Sequence, residues 1–158
     1  MTLFLSQYIN KLDKKDRVSI PSSYRNFLTQ NNFHGAVLFF SPNYPCLEGF
    51  NWFTIEDIAR RIDEMSWFSG DQDDMATTLF GGSHPVNMDG EGRIGLTKEL
   101  KDFAGLDESV LFVGLGRKFQ MWDPARFEER QKQARKNVRE KSLTLPPKPS
   151  GKDGQEDQ

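Results

Sequence analysis

Apolar and polar positions near the start of the chain follow the pattern of two short β-strands. Residues 4–12 and 17–20 alternate or run apolar with β-branched side chains, and the polar cluster 13–16 lies between them. This order predicts a hairpin or a strand–turn–strand. A short helix over about 23–29 is predicted next, with Ser22 as its N-terminal cap.

The middle of the chain combines strand patterns with one helical stripe. Hydrophobic strands are predicted at 36–41 and 46–50, with a Pro-containing turn between them. Thr54 is then expected to cap a helix whose apolar positions recur at the i, i+3, i+4 spacing of a core-facing stripe. These positions are Ile55, Ile58, Ala59, Ile62 and Met65. The polar residues 69–74 that follow predict a solvated loop.

The second half of the chain repeats this order of elements. The predicted elements are a strand at 84–88, a turn at 89–92, a strand at 93–96, a helix at about 98–104, and strands at 109–113 and 118–122. Gly105 is a natural helix stop, and Asp123 followed by Pro124 is typical of the start of a long helix. The Pro-, Lys- and Gly-rich composition beyond residue 145 predicts a disordered tail.

One motif is nearly the same in both halves. Residues 13–20 and 89–96 both read Asp-x-x-x-Arg-aliphatic-small-aliphatic, 76 positions apart (89 − 13). A second block aligns residues 37–39 with 110–112, both Val-Leu-Phe, at an offset of 73. Matching blocks in the same order predict two copies of one supersecondary unit. We expect the copies to interleave about a pseudo-two-fold axis, because neither half alone has a comfortable core.

Composition limits the classes of function. The chain has 158 residues, of which 36% are hydrophobic and 28% charged, with one cysteine and two histidines. These numbers predict a soluble globular protein without an internal disulfide, an ordinary zinc site or a membrane span. A reducing cytoplasm is the expected location. We predict no enzymatic activity, cofactor, metal or small-molecule substrate.

Three features that resemble ligand or catalytic sites carry little weight. The second copy of the motif resembles a calcium loop, but Lys98 stands where an EF-hand needs its bidentate Glu. Residues 114–116 read Gly-Leu-Gly but lack the third glycine of a dinucleotide fingerprint, since position 119 is Phe, and they are typical of a hairpin turn. His34 and His84 are expected in polar loops, without a Ser or Cys partner for nucleophilic catalysis.

Charge is segregated along the chain, although the net charge is only −2. Residues 1–30 carry +3, residues 48–80 carry −6 and residues 124–141 carry +4. Screening confines electric fields to roughly 8–10 Å. An acidic protein can therefore present basic edges to a partner.

The basic residues around the first copy of the motif favour nucleic-acid binding. They are Lys11, Lys14, Lys15, Arg17 and Arg25. A β-ribbon can enter a major groove about 12 Å wide, where arginine contacts phosphates or takes guanine O6 and N7 bidentately. Arg93 is the matching candidate in the second copy. We expect the motif aspartates, Asp13 and Asp89, to accept turn N–H groups and to orient the arginines. The alternative to nucleic-acid binding is that each aspartate and arginine form an ion pair that only stabilises its turn.

The same residues resemble the MraZ family, bacterial transcriptional regulators with two AbrB-like (SpoVT-AbrB) swapped-hairpin units per chain. The resemblance covers about residues 3–127. Three stretches carry it: Leu12-Asp13-x-Lys15-x-Arg17-Val18-Ser19-Ile20-Pro21-x-x-Tyr24-Arg25, Asp89-x-x-Gly92-Arg93-Ile94 and Val113-Gly114-x-Gly116-x-x-Phe119-x-Met121-Trp122-Asp123. Three positions depart from the family pattern: Asp16 replaces a usual Gly, Thr97 a usual Pro and Gln120 a common Glu.

The resemblance implies an α+β, β-rich fold. In this fold, two tandem AbrB-like swapped-hairpin units form a pseudo-dimeric β-barrel with short helices. The units are expected at 1–68 and 84–127, with a linker at 69–83. A basic helical extension is expected at 128–141 and a disordered tail at 142–158.

The resemblance also implies a function. It indicates a cytoplasmic, nucleoid-associated repressor that acts at the promoter of the division and cell-wall gene cluster. Ring-shaped homo-oligomers would present several hairpins to repeated boxes in double-stranded DNA. Matched position by position, Arg17 and Arg93 are the DNA-facing arginines, and Lys15 and Arg25 are basic positions of the first unit. The alternative is a ring-forming protein-interaction scaffold without direct base recognition.

Overall fold

The computed structural model describes residues 3–30 and 32–150. These residues form nine strands and five helices: β1 (Gln7–Lys11), β2 (Arg17–Ser19), α1 (Ser22–Leu28), β3 (Thr29–Gln30), β4 (Phe33–Phe40), β5 (Leu47–Phe50), α2 (Trp52–Asp63), α3 (Asp71–Leu79), β6 (His84–Asn87), β7 (Arg93–Gly95), α4 (Lys98–Ala104), β8 (Ser109–Gly114), β9 (Phe119–Trp122) and α5 (Pro124–Glu140). One compact unit ends at Phe127, and a second begins at Glu128, within α5.

Strands of the first unit pair mainly between the two repeats. β1 pairs with β8 and β6 pairs with β4, both antiparallel. β2 pairs with β7 and β5 with β9. Within a repeat, the hairpins β4–β5 and β8–β9 form, and the short β3 adds to β4. β1 and β2 are therefore a strand–turn–strand and not a hairpin. The fold is α+β and β-rich, with interleaved repeats, as the sequence predicted.

Two strand pairs are centred on a pseudo-two-fold axis. In β2–β7, Val18 lies opposite Ile94, its own counterpart in the repeat. In β5–β9, Glu48 lies opposite Gln120 in the same antiparallel manner. Because each pair is centred on equivalent residues, a half-turn about the axis exchanges the two repeats.

The structure corrects the alignment of the inner strands by one residue. Tyr8 pairs with Phe112, and His84, its counterpart 76 positions later, pairs with Leu38. Phe112 therefore matches Leu38 at an offset of 74 (112 − 38), one more than the offset of 73 predicted from the Val-Leu-Phe blocks. Both side chains are buried in the same core. An offset of 73 would match side chains on opposite faces of the sheet, because successive residues of a strand alternate between faces.

A cluster of aromatic rings forms the centre of the core and joins the repeats. Phe119, from the second repeat, lies 5.0 Å from Phe4 and 5.5 Å from Tyr24 between ring centroids. Both partners come from the first repeat. The Tyr24 hydroxyl donates to the backbone carbonyl of Ser6 at 2.8 Å. Burial of the ring raises the pKa of Tyr24 above its ordinary value, so the hydroxyl stays a neutral donor.

Two predicted helix caps were wrong. α1 begins at Ser22, and Pro21 precedes it without a capping side chain. At α2 the Asn51 side chain, not Thr54, is the cap, because its oxygen accepts the Thr54 N–H at 2.9 Å. Asn is among the residues most strongly preferred at the N-cap position, which agrees with the role of Asn51. The sequence pattern placed the helix start too late because two aromatic residues separate Asn51 from Thr54.

The predicted loop at 69–74 and the predicted loop positions of both histidines were also wrong. Helix α3 begins at Asp71, after Gly70 in a left-handed conformation with φ of 77°. Its first turn is rich in aspartate, which the positive end of the helix dipole stabilises. His34 and His84 lie in β4 and β6, where strand pairing holds them. The position of His84 agrees instead with the strand predicted at 84–88.

Two departures from the family pattern have a structural explanation. Thr97 is the counterpart of Pro21, and its hydroxyl accepts the Leu100 N–H at 3.3 Å, which caps α4. Gln120 donates its side-chain N–H to the buried carboxylate of Glu48 at 2.9 Å. A glutamate at position 120 would place two carboxylates face to face across the pseudo-two-fold axis. Glutamine replaces that repulsion with a hydrogen bond.

Helix α5, near the C-terminal end of the described residues, has a side-chain cap. The Asp123 carboxylate accepts the Arg126 N–H at 3.1 Å, as predicted for the start of α5. Residues 141–150 form neither helix nor strand. The predicted tail continues to 158, and residues 151–158 lie outside the described part of the chain. Within that part, no helix is long and apolar enough to cross a membrane.

Candidate nucleic-acid interface

The two motif arginines lie on the outer face of the β2–β7 ribbon. Val18 and Ile94 are completely buried beneath it. Because side chains alternate along a strand, Arg17 and Arg93 point to the opposite, solvent-facing side. Their side chains are 33% and 27% exposed. Pairing of β2 with β7 thus brings arginines from distant parts of the chain onto one surface.

In the first turn, the Asp13 carboxylate holds both the backbone and the arginine. One oxygen accepts the backbone N–H groups of Lys15 and Arg17, each at 2.9 Å. The other oxygen accepts the Nε–H of Arg17 at 2.8 Å. This hydrogen bond uses Nε. The two Nη groups, at the tip of the Arg17 side chain, take no part in it.

The second turn repeats these contacts with Asp89. Its oxygens accept the backbone N–H groups of Glu91 and Arg93 at 2.9 and 3.0 Å, and the Nε–H of Arg93 at 2.8 Å. The hydrogen bond from the arginine backbone N–H is the main reason that the pKa of each aspartate, Asp13 and Asp89, is lowered from its ordinary value of 3.8. Both carboxylates are therefore charged wherever the protein is folded near neutral pH.

We expect both turns to keep their geometry into the acidic range. The pKa values of Asp13 and Asp89 are lowered in the folded protein, so their stabilising contribution is present above 3.8 and is lost as the pH falls through the lowered values. An NMR titration of the carboxyl carbons should give midpoints below 3.8. Asp13→Asn, which cannot titrate, should remove the acid-dependent shift of the Lys15 and Arg17 amides. Midpoints at or above 3.8 would contradict the expectation.

The two turns differ at the position before the arginine. Asp16 and its counterpart Gly92 both adopt left-handed conformations, with φ of 58° and 77°. Arg25 packs so closely on Gly92 that a Cβ at position 92 would overlap the Arg25 Nε, and this Nε donates to the Ile20 carbonyl at 2.9 Å. Across the axis, the Lys101 ammonium contacts the Asp16 carboxylate at 2.7 Å. The unusual Asp16 is thus matched by a lysine that forms an ion pair with it.

The predicted basic residues occupy three different settings. Lys14 and Lys15 are exposed in the first turn, which leads directly into Arg17. Lys11 is exposed at the end of β1 and lines an open cleft with Lys14 and the acidic pair 107–108. Arg25 is half-buried and lies against the second turn rather than the first. Pairing between repeats therefore divides a group of basic residues that is continuous in sequence.

Three further residues belong to this surface, although the sequence pattern did not predict them. Gly95 lies opposite Arg17, and Ser19 lies opposite Arg93, so a small residue faces each arginine across the ribbon. Lys101 contacts the first turn through Asp16. The signal for all three was present in the repeat, which aligns Ser19 with Gly95 and Arg25 with Lys101.

The chain is similar to curated proteins over nearly its whole length. The profile of a family described as "MraZ protein, putative antitoxin-like" matches residues 79–145. A "Transcriptional regulator MraZ" of Gluconacetobacter diazotrophicus is 41% identical over 149 residues, which cover 92% of this chain and 93% of that protein. Proteins with the same name from Rickettsia canadensis and Rickettsia felis are each 38% identical over 145 residues, 92% of this chain and 97% of theirs. The chain therefore belongs to the MraZ family of transcriptional regulators.

Proposed function

We propose that this protein is a sequence-specific transcriptional repressor that contacts double-stranded DNA through the outer face of the β2–β7 ribbon. The observation that carries the proposal is the convergence of Arg17 and Arg93, one from each repeat, on this exposed face. Each arginine is held by an aspartate through Nε. For Arg17 this leaves both Nη groups available to an acceptor, whereas Nη1 of Arg93 also lies 3.5 Å from Glu91. Guanine edges and phosphates present acceptors that match a pair of Nη donors.

The proposed roles follow from position and charge. Arg17 reads a base edge or a phosphate, because it stands on the ribbon beside the basic first turn. Lys14 and Lys15 contact the DNA backbone as point charges. Arg25 contributes mainly by supporting the second turn, with Lys11 at the edge of the surface. Asp13 and Asp89 orient the arginines by the hydrogen bonds described above.

The biological setting of the proposal rests on membership of the family. The protein would act in the cytoplasm, associated with the nucleoid, at the promoter of the division and cell-wall gene cluster. A ring-shaped homo-oligomer would present several ribbons to repeated DNA boxes. Simultaneous contacts of this kind multiply the effective affinity, because each later contact is made at a high local concentration. Its action would need binding alone and no catalysis.

A binding experiment on the DNA just upstream of the protein's own gene tests the proposal. We expect a mobility shift and a footprint of evenly spaced protections, with much weaker binding to a shuffled sequence of the same composition. Affinity should fall steeply with salt, since each neutralised phosphate contributes about −0.9 to the log–log slope. Equal affinity for the shuffled DNA would refute sequence-specific recognition.

The alternative function is a ring-forming protein-interaction scaffold without direct base recognition. The stretch 48–80 carries a charge of −6, and such partners would dock on its exposed acidic residues on and between α2 and α3. The same experiment separates the two functions. A scaffold would show neither a sequence preference nor a footprint on promoter DNA.

Exposed aromatic residues support self-association. Trp67 and Phe68, between α2 and α3, are 80% and 98% exposed, and Phe53 on α2 and Met75 on α3 are exposed as well. These side chains lie on or between two helices that contact each other. Soluble monomers seldom expose large apolar patches. Repeated head-to-tail contacts through such a surface close into a ring when the rotation permits it.

We therefore expect an assembly in solution at micromolar concentration. Light scattering should give a mass several times the 18.2 kDa of one chain. Replacing both Trp67 and Phe68 by Ser should lower that mass while the circular dichroism spectrum stays the same. Leu145→Ser, which removes an exposed apolar side chain near the end of the chain, is the matched control and should leave the mass unchanged. A wild-type mass of one chain would contradict the expectation.

A further inference from the structure

The two turns of the ribbon carry opposite charges at the same position. Lys15 in the first turn is the counterpart of Glu91 in the second, 76 positions later. Their backbones are equivalent, because each N–H donates to the motif aspartate of its own turn at 2.9 Å. The side chains are the difference: two residues before the arginine, the first turn has a cation and the second turn has an anion.

This difference changes the surroundings of the two arginines. Arg93 is near three carboxylates: its Nε lies 2.8 Å from Asp89, and its Nη1 lies 3.5 Å from Glu91 and 4.0 Å from Asp13. The hydrogen bond with Asp89 is the largest reason that the pKa of Arg93 is raised. Among the described residues, the ion pair of Arg17 is with Asp13 alone, through Nε. Only the second arginine therefore has an acidic partner for its Nη1 group.

We propose that Glu91 restrains the Arg93 guanidinium within this cluster and so lowers the contribution of the second repeat to DNA affinity. The inference rests on the proposed DNA-binding function and specifies how much each repeat contributes to the DNA affinity. To reach a phosphate or a base edge, Nη1 must separate from Glu91 or bring the carboxylate with it. DNA carries one negative charge per roughly 1.7 Å of its axis and repels that carboxylate. Glu91 is therefore a positioning residue that acts through Arg93.

The fold does not need the Glu91 side chain. It is 75% exposed, and the contact that shapes the turn is made by its backbone N–H. A substitution that keeps the backbone, such as Glu91→Gln, should leave the turn and the melting temperature unchanged. The side-chain charge can therefore be tested separately from stability.

The first measurement compares the affinity of wild type and Glu91→Gln for the upstream promoter DNA at low and moderate salt. We expect roughly three- to tenfold tighter binding by Glu91→Gln at about 50 mM salt, and a smaller gain at about 200 mM, since exposed charges are screened. Glu64→Gln makes the same change of charge at the C-terminal end of α2. That control should change affinity less than about twofold, as expected for an exposed charge outside the interface.

A double-mutant cycle tests whether the effect passes through Arg93. In an Arg93→Ala background, Glu91→Gln should give no more than the change seen with Glu64→Gln. An undiminished gain in that background would show plain repulsion and overturn the proposal, and so would the absence of any gain in the wild-type background. If the wild type shows no preference for the promoter DNA, the proposed function itself is refuted. If the wild type binds the promoter specifically and Glu91→Gln leaves the affinity unchanged, only the role of Glu91 is refuted.

Discussion

Arg17→Ala should abolish specific binding to the promoter DNA while the protein stays folded. Arg17 stands on the exposed ribbon face next to the lysines of the first turn, and its ion pair uses only Nε. A lost bidentate base contact costs about 1–3 kcal/mol, and this loss multiplies if an assembly engages several boxes at once. Arg93→Ala should weaken binding less, because Arg93 is surrounded by carboxylates.

The measurements are the melting temperature and the promoter affinity of both variants. Arg17→Lys is the matched variant, since it keeps the charge but loses the planar guanidinium. At the same salt concentration, its affinity for the promoter DNA should equal its affinity for the shuffled DNA. If the Asp13–Arg17 pair only stabilised its turn, Arg17→Ala would cost at most about 1 kcal/mol of stability and leave affinity alone. Unchanged promoter affinity would therefore rule out the DNA-contact role of Arg17.

Phe119→Ala should produce the largest loss of stability. Phe119 is fully buried, and its ring packs on Phe4 and Tyr24 of the first repeat. Removing a buried phenyl ring leaves a cavity and typically costs about 3–5 kcal/mol. Since a small domain has a total stability of about 5–15 kcal/mol, we expect a large drop in the denaturant midpoint.

Urea unfolding followed by circular dichroism and tryptophan fluorescence measures this effect. Both signals should move together in a single transition, because Phe119 packs between the repeats and its loss weakens both. Leu115→Ala removes an exposed side chain from the turn between β8 and β9, close to Phe119 in sequence, and should cost less than about 1 kcal/mol. Two separate transitions in Phe119→Ala would show that the repeats unfold independently and that the shared core does not couple them.

Local chemistry in the sequence determined the elements whose boundaries depend on near neighbours. The Asp-x-x-x-Arg motif, repeated at a spacing of 76, predicted two copies of one unit. Gly105 ends α4 in a left-handed conformation, and Asp123 caps α5, both as predicted. These features can be read from sequence because a turn, a cap or a helix stop involves atoms only a few residues apart.

Where local signals competed, the sequence pattern predicted the wrong cap or element. Asn51 rather than Thr54 caps α2, and helix α3 occupies most of the stretch predicted as a loop. α3 has a weak apolar pattern and no buried residue, so periodicity had little to detect. Its stability depends on an acidic first turn and on contacts with α2 more than on an amphipathic face.

Only the tertiary structure decided which residues form the surface. The exchange of β1 and β6 between repeats, the offset of 74 for the inner strands and the pairing of β2 with β7 all depend on contacts between residues at least 46 positions apart (84 − 38). Burial selects these pairings: the register that places Val18 and Ile94 in the core also places Arg17 and Arg93 together outside. No local pattern predicts which strands pair, because the pairing depends on which apolar faces can be buried against each other.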